Sequence, residues 1–165
     1  MKIKIAGIVP ESIVDGPGFR FTVFTQGCPH HCPGCHNPQT HDFEGGEWME
    51  TDEIIAEFTK NPLLKGITLS GGDPFCQAAA AAELAKGAHQ IGKNVITYTG
   101  YTFEQLLSGK VKDAALLLEE TDILIDGRFE EDKKSLGLRF RGSSNQRAID
   151  CKESLKFSKP IEIEL

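Results

Sequence analysis

Three short apolar runs, GITLS at 66–70, NVITYT at 94–99 and TDILIDG at 121–127, each lead straight into an unusual loop: SGGDP, TGY and DGRF. Runs of this length, rich in β-branched residues and closed by glycine, read as strands. Helical stretches separate them. TDEIIAEFTKN at 51–61 opens on a cap-like threonine, carries acids in its first turn and sets Ile54, Ile55 and Phe58 on one face. An alanine-rich helix is expected from about Gln77 to Ile91, with Gly92 placed to stop it. Thr102 and Gln105 form a capping-box pattern that opens a further helix. Alternating strands and helices favour a parallel sheet with crossover helices. The three loops then share the rim at the carboxyl ends of the strands, where parallel α/β folds carry their active sites.

Two more strands are expected ahead of this series, at 2–8 and at FRFTVFT (19–25), with DGPG at 15–18 as turn chemistry between them. After it, a loop runs to about Asn145, QRAID at 146–150 reads as one more strand, and IEIEL is an alternating tail. Four or five β-α units fall short of eight-fold closure, so the fold class is α/β, either a partial, open parallel β/α barrel or a doubly wound sheet. No repeat, linker or low-complexity tract divides the chain, and one domain over 1–165 is expected. The net charge is −6 and no basic stretch is longer than Lys133-Lys134, which argues against non-specific binding to nucleic acid or anionic membrane. No apolar run approaches the roughly 18 residues of a membrane span. The first residues are too short and too charged a run for a signal peptide, so a cytoplasmic location with reduced thiols is expected.

Residues 27–38, GCPHHCPGCHNP, hold three cysteines, three histidines and three prolines. An odd total of five cysteines, three of them clustered at Cys28, Cys32 and Cys35, points to metal binding and away from a disulfide framework. Structural zinc sites use two ligand pairs, and no second cysteine pair exists here. Histidines at 30, 31, 36 and 41 still leave room for Cys3His zinc ligation, as in a structural zinc-binding interaction module. The other reading is a [4Fe–4S] cluster on three thiolates, with one iron left open for a small molecule. Prolines 29, 33 and 38 and Gly34 suit a tight loop around such a cluster.

The C-x3-C-x2-C array, with Gly71-Gly72-Asp73-Pro74 after a later strand, resembles the radical S-adenosylmethionine (SAM) superfamily. That resemblance implies an open partial barrel, with Cys28, Cys32 and Cys35 as cluster ligands and the unique iron chelated by SAM. It further implies that Gly71, Gly72 and Asp73 meet the methionine end of SAM, and that the backbone at Gly34, Cys35 and His36 meets its adenine end. Asp73 departs from the commoner glutamate, and Gly34 from a frequent aromatic residue. DGPG with Arg20, CHNP at 35–38, SGGDPF, YTGY at 98–101, DGRF at 126–129 and RGSSNQR at 141–147 follow in order. Together they resemble the activating proteins of anaerobic ribonucleoside-triphosphate reductases, over about residues 5–150.

The activity this implies is cleavage of SAM by a reduced cluster, generating a glycyl radical on the large reductase subunit, with an electron donor such as flavodoxin. An activase for another glycyl-radical enzyme, such as pyruvate formate-lyase, is the near alternative; such activases are usually longer. No catalytic side chain is expected, because the cofactor carries the chemistry. Asp73 has two expected roles, receiving the SAM ammonium or capping the next helix. His30, His31 and His41 are expected on the surface of the loop, and Cys76 and Cys151 as small buried hydrophobes. Residues 130–134, EEDKK, read as solvated loop. Tyr98 to Tyr101 either line the SAM pocket or close a strand. Arg139, Arg141, Asn145 and Arg147 either hold the SAM carboxylate or the partner's glycine loop, or knit the long loop to the barrel.

Overall fold

A computed structural model describes all 165 residues, Met1–Leu165. Its strands are β1 (Lys2–Ser12), β2 (Arg20–Thr25), β3 (Glu47–Glu50), β4 (Gly66–Gly71), β5 (Asn94–Tyr98), β6 (Ile123–Asp126) and β7 (Arg147–Asp150). They form one sheet in the order β3-β1-β2-β4-β5-β6-β7. The four central strands, β2, β4, β5 and β6, run parallel. On the flanks β1 runs antiparallel to β2, β3 to β1, and β7 to β6. The expected parallel sheet is therefore the centre of a mixed one.

Helices α1 (Thr51–Thr59), α2 (Ala78–Gln90), α3 (Phe103–Leu107), α4 (Ala114–Glu120) and α5 (Cys151–Phe157) supply the other layer. They pack side by side, α1 on α2, α2 on α4, and α4 on both α3 and α5. Side chains from all five join Phe21, Val23, Ile67, Leu69, Val95, Leu124 and Ile149 in one buried core. This matches an open, incomplete barrel; a doubly wound sheet puts helices on both faces. The alanine run has a packing reason. Ala81, Ala85 and Ala88 are wholly buried, because α2 lies between α1, α4 and the sheet. At Gly87 a Cβ would come within 2.7 Å of the Ile55 side chain.

Several elements differ from the expectation. β1 runs on to Ser12, and EWME forms the edge strand β3. Residues 114–120 and 151–157 are helices, and IEIEL pairs with β7 through a single bridge, Ile149 to Glu162. The Thr102 capping box is formed as read.

One ion cluster ties the end of α2 to the turn before β6. His89, in the last turn of α2, bonds Asp122 Oδ2 through Nε2 at 2.7 Å and Glu120 Oε2 through Nδ1 at 3.0 Å. Burial pushes the imidazole pKa down, but the bonds to Asp122 and Glu120 outweigh it and the net shift is upward. A folded-state pKa above the unfolded value contributes stability that is fully present below the ordinary histidine value and is lost as pH rises through the raised folded one. His89→Ala should therefore cost about 1 kcal/mol in urea unfolding near pH ~6 and little near pH ~9.

Candidate active site and metal centre

The parallel strands end at one level, and the segments that follow them meet. A cavity of about 390 Å³ is lined by Cys28, Cys32, Cys35 and His36 after β2, by Ser70, Gly71 and Gly72 at the end of β4, and by Tyr98, Thr99 and Gly100 at the end of β5. Gly127 and Phe129 after β6 complete the wall with Phe140 to Gly142, Gln146, and Val14 and Asp15 from the β1–β2 connection. All three strand-end loops singled out in the sequence contribute to it.

The cysteine loop contains no α-helix. It is wound by left-handed backbone at Gly27, His31 and Gly34, with φ of 104°, 49° and 73°. It is anchored by Gly27 N–H to Thr40 O at 2.7 Å and by Cys28 N–H to His41 O at 3.2 Å. All three thiols are free, Cys28 buried and Cys32 and Cys35 half-buried. Each has a backbone N–H beside it: that of His30 at Cys28, that of Phe129 at Cys32, and that of Asn37 at Cys35 Sγ, 3.4 Å away. Burial pushes the Cys28 thiol up to about 11, against the pull of the His30 N–H. Cys32 is raised for the same reason, against the Phe129 N–H. Binding a metal therefore displaces protons from this loop.

Three soft thiols in one cavity, each beside an N–H donor, fit an iron–sulfur cluster, whose potential depends on hydrogen bonds to its sulfurs. The three thiols do not converge as a single-ion site. A cluster instead takes thiolates on different irons.

Gly71 and Gly72 line the cavity, but what demands glycine there is the chain's own backbone. At Gly71, with φ of +96°, a Cβ would sit 2.4 Å from Thr25 N; at Gly72 it would sit 2.3 Å from Gly27 O. The GGDP loop thus lies directly on the start of the cysteine loop, where Asp73 N–H donates to Gly27 O at 2.9 Å.

Of Asp73's two expected roles, the structure provides the cap. Its side chain is fully buried and is not part of the cavity wall. The carboxylate accepts from Phe75 N–H at 3.0 Å, Thr99 Oγ1 at 2.9 Å, Gly100 N–H at 3.0 Å and His30 Nε2 at 2.7 Å. His30 is accordingly no surface residue: its side chain is 3% exposed. His41 is half-buried and lines the cavity, its imidazole pKa lowered by burial and by His31, which stays exposed. His36 lies against the Phe129 ring, with centroids 5.2 Å apart. Gly34 is exposed, with left-handed backbone at φ of +73°, and a Cβ there would come within 3.0 Å of the Glu131 carboxyl. Glu131 otherwise belongs to an exposed turn, as read for residues 130–134. Cys151 is buried as expected, whereas Cys76 is exposed.

The RGSSNQR segment is mostly a knot. Arg147 pairs with Asp126 through Nε at 3.0 Å and Nη2 at 2.5 Å, and reaches Glu104 at 2.6 Å. Gln146 Oε1 accepts from Gly142 N–H, its Nε2 donates to Gly127 O, and Asn145 donates to Arg128 O. Arg139 sits over the Phe140 ring. Arg141 is different. It is the only Lys or Arg in the cavity wall, it donates to Gln146 O at 3.2 Å, and its buried Nε has no partner.

Arg20 had no role beyond its motif. Its wholly buried guanidinium lies beneath the DGPG turn and donates to Thr68 Oγ1 at 2.7 Å and Ile67 O at 2.8 Å. Thr68 in turn donates to Asp15 O at 2.8 Å. Burial lowers the Arg20 pKa to about 10, which leaves it charged at neutral pH. The signal available in the sequence is an arginine opening the apolar run RFTVFT directly after the DGPG turn.

The family model for a 4Fe-4S single cluster domain matches residues 14–149. The anaerobic ribonucleoside-triphosphate reductase-activating protein of Salmonella typhi is 38% identical over 146 residues, covering 83% of this chain and 92% of its own. The chain belongs to this family of activating proteins. The namesake of Escherichia coli K12 is 37% identical over 147 residues, with the same shares covered. That of phage T4 is 33% identical over 147 residues, 85% of this chain and 89% of its own. Among solved structures, QueE from Escherichia coli superposes with a TM-score of 0.49 at 15% identity, over 62% of this chain and 54% of that one. Membership in a 4Fe-4S family decides for the cluster over the zinc module.

Close backbone packing makes Gly72 a sensitive position. Gly72→Ala should destabilise the chain by about 1–3 kcal/mol in denaturant unfolding and reduce the iron retained after anaerobic reconstitution.

Proposed function

We propose that this chain activates an anaerobic ribonucleoside-triphosphate reductase by using a reduced [4Fe–4S] cluster to cleave SAM and generate a glycyl radical on the large subunit. The observation that carries the reading is the single cavity in which three free thiols face the ends of β4 and β5. The relatives named for this activity span most of the chain and add to it. Cys28, Cys32 and Cys35 hold the cluster. When bound, the cluster supplies the single electron that breaks a carbon–sulfur bond of SAM.

Everything else falls to the chain: binding, orienting and excluding water. The glycine backbone at Gly71 and Gly72 lies against the methionine end of SAM, and the backbone from Gly34 to His36 lies near its adenine end. Arg141, the one guanidinium in the cavity wall, takes the methionyl carboxylate, because a guanidinium matches a carboxylate through paired N–H donors. Phe129, Phe140 and Tyr98 narrow the cavity around the reacting atoms; the Tyr98 hydroxyl is tied to Phe140 O at 2.7 Å. The chain works as one domain in the cytoplasm, with an electron donor such as flavodoxin.

The test is anaerobic reconstitution with iron and sulfide, then dithionite, SAM and the partner. Methionine and 5′-deoxyadenosine should form, with a glycyl EPR doublet on the reductase. A doublet on pyruvate formate-lyase and none on the reductase would overturn the reading. Replacing any one of Cys28, Cys32 and Cys35 by Ala should abolish SAM cleavage and lower bound iron while far-UV circular dichroism is kept. Arg141→Gln should raise the KM for SAM about tenfold with a smaller change in kcat, and Arg141→Lys should recover part of it.

A further inference from the structure

We infer that His30, held by Asp73, is a positioning residue that couples the cluster-binding loop to the two strand-end loops facing SAM. The inference rests on the function proposed above and concerns residues that function does not otherwise use. Asp73 accepts only from donors: Phe75 N–H, Thr99 Oγ1, Gly100 N–H and His30 Nε2. One buried side chain therefore joins three segments: the cysteine loop through His30, its own GGDP loop through Phe75, and the β5 loop through Thr99 and Gly100.

The geometry makes His30 the linking member. It lies two residues from Cys28 and two from Cys32, so fixing its ring fixes the backbone between two ligands. Its ring packs edge-on to Tyr101, with centroids 4.5 Å apart, and against Gly100, where a Cβ would come within 2.4 Å of it. Its other nitrogen, Nδ1, is buried without a partner, so Asp73 is the one polar tether of the ring. Aspartate also suits the arrangement better than glutamate. The short side chain can bond the N–H two residues ahead while staying beneath the loop, as Asx turns do. The cluster and SAM must be in contact for electron transfer, so displacing one loop against the other weakens SAM binding even where each loop stays intact.

The test uses the reconstituted full-length protein and two readouts besides turnover. In His30→Leu, backbone amide exchange should rise about tenfold in segments 71–76 and 99–102, remote in sequence from the substitution, with bound iron unchanged. Affinity for SAM, read from the SAM-induced change in the cluster EPR signal, should fall about tenfold. His30→Gln, which keeps an N–H donor near the same place, should restore both. Thr99→Val removes a different donor from the same carboxylate and should raise exchange at 28–32, which keeps the test open if His30→Leu does not fold. Exchange changes confined to the mutated loop, or equal defects in His30→Gln and His30→Leu, would overturn the inference. Failure of the wild type to cleave SAM would instead overturn the proposed function and leave the exchange result standing.

Discussion

The parallel pairing of β2, β4, β5 and β6 is the constraint from which the site follows. Parallel neighbours finish on the same side of a sheet, so the four segments leaving them converge however far apart they lie in sequence. Thr25 pairs with Gly71, and Thr97 with both Leu69 and Leu124, which sets the strand ends close in height. The helices occupy the opposite layer and seal the apolar face. That leaves the other face to polar groups such as Arg20 and Thr68 and to the loops above them.

How tightly those loops fit explains their composition. Gly71 and Gly72 are glycines because the backbones of Thr25 and Gly27 already occupy the space a side chain would need. The strand-end loop and the cysteine loop therefore support each other before any ligand is considered. A second layer of support comes from the far end of the chain, where Arg147 bridges Asp126 and Glu104, and Gln146 closes on Gly127. The cavity is thus walled by segments that are each braced by another wall and by the sheet beneath.

Much of this was legible in the sequence. The apolar runs 66–70 and 94–99, the capping box at Thr102 and the convergence of three strand-end loops all follow from local pattern plus the rule for parallel sheets. The thiol triplet needed only spacing. What was hidden was tertiary. EWME is a four-residue edge strand whose two apolar residues, Trp48 and Met49, are adjacent and give no alternation to mark it, and α5 is short and starts at the end of a strand. His30 reads as a loop residue in the sequence because its partner, Asp73, is 43 residues away, and sequence alone leaves Asp73 between a helix cap and a contact to SAM. Cysteine is usually buried, yet Cys76 is exposed on the turn before α2.

The division of the site between near and distant parts of the chain has a consequence for biogenesis. Cys28, Cys32 and Cys35 lie within one short stretch near the start, whereas the opposing wall arrives with residues 127–146. During synthesis a complete thiol set emerges long before the cover that shields it. The thiols and their enclosure are therefore made at opposite ends of the chain, and the wall around them is complete only once the residues leading into the last strand are in place.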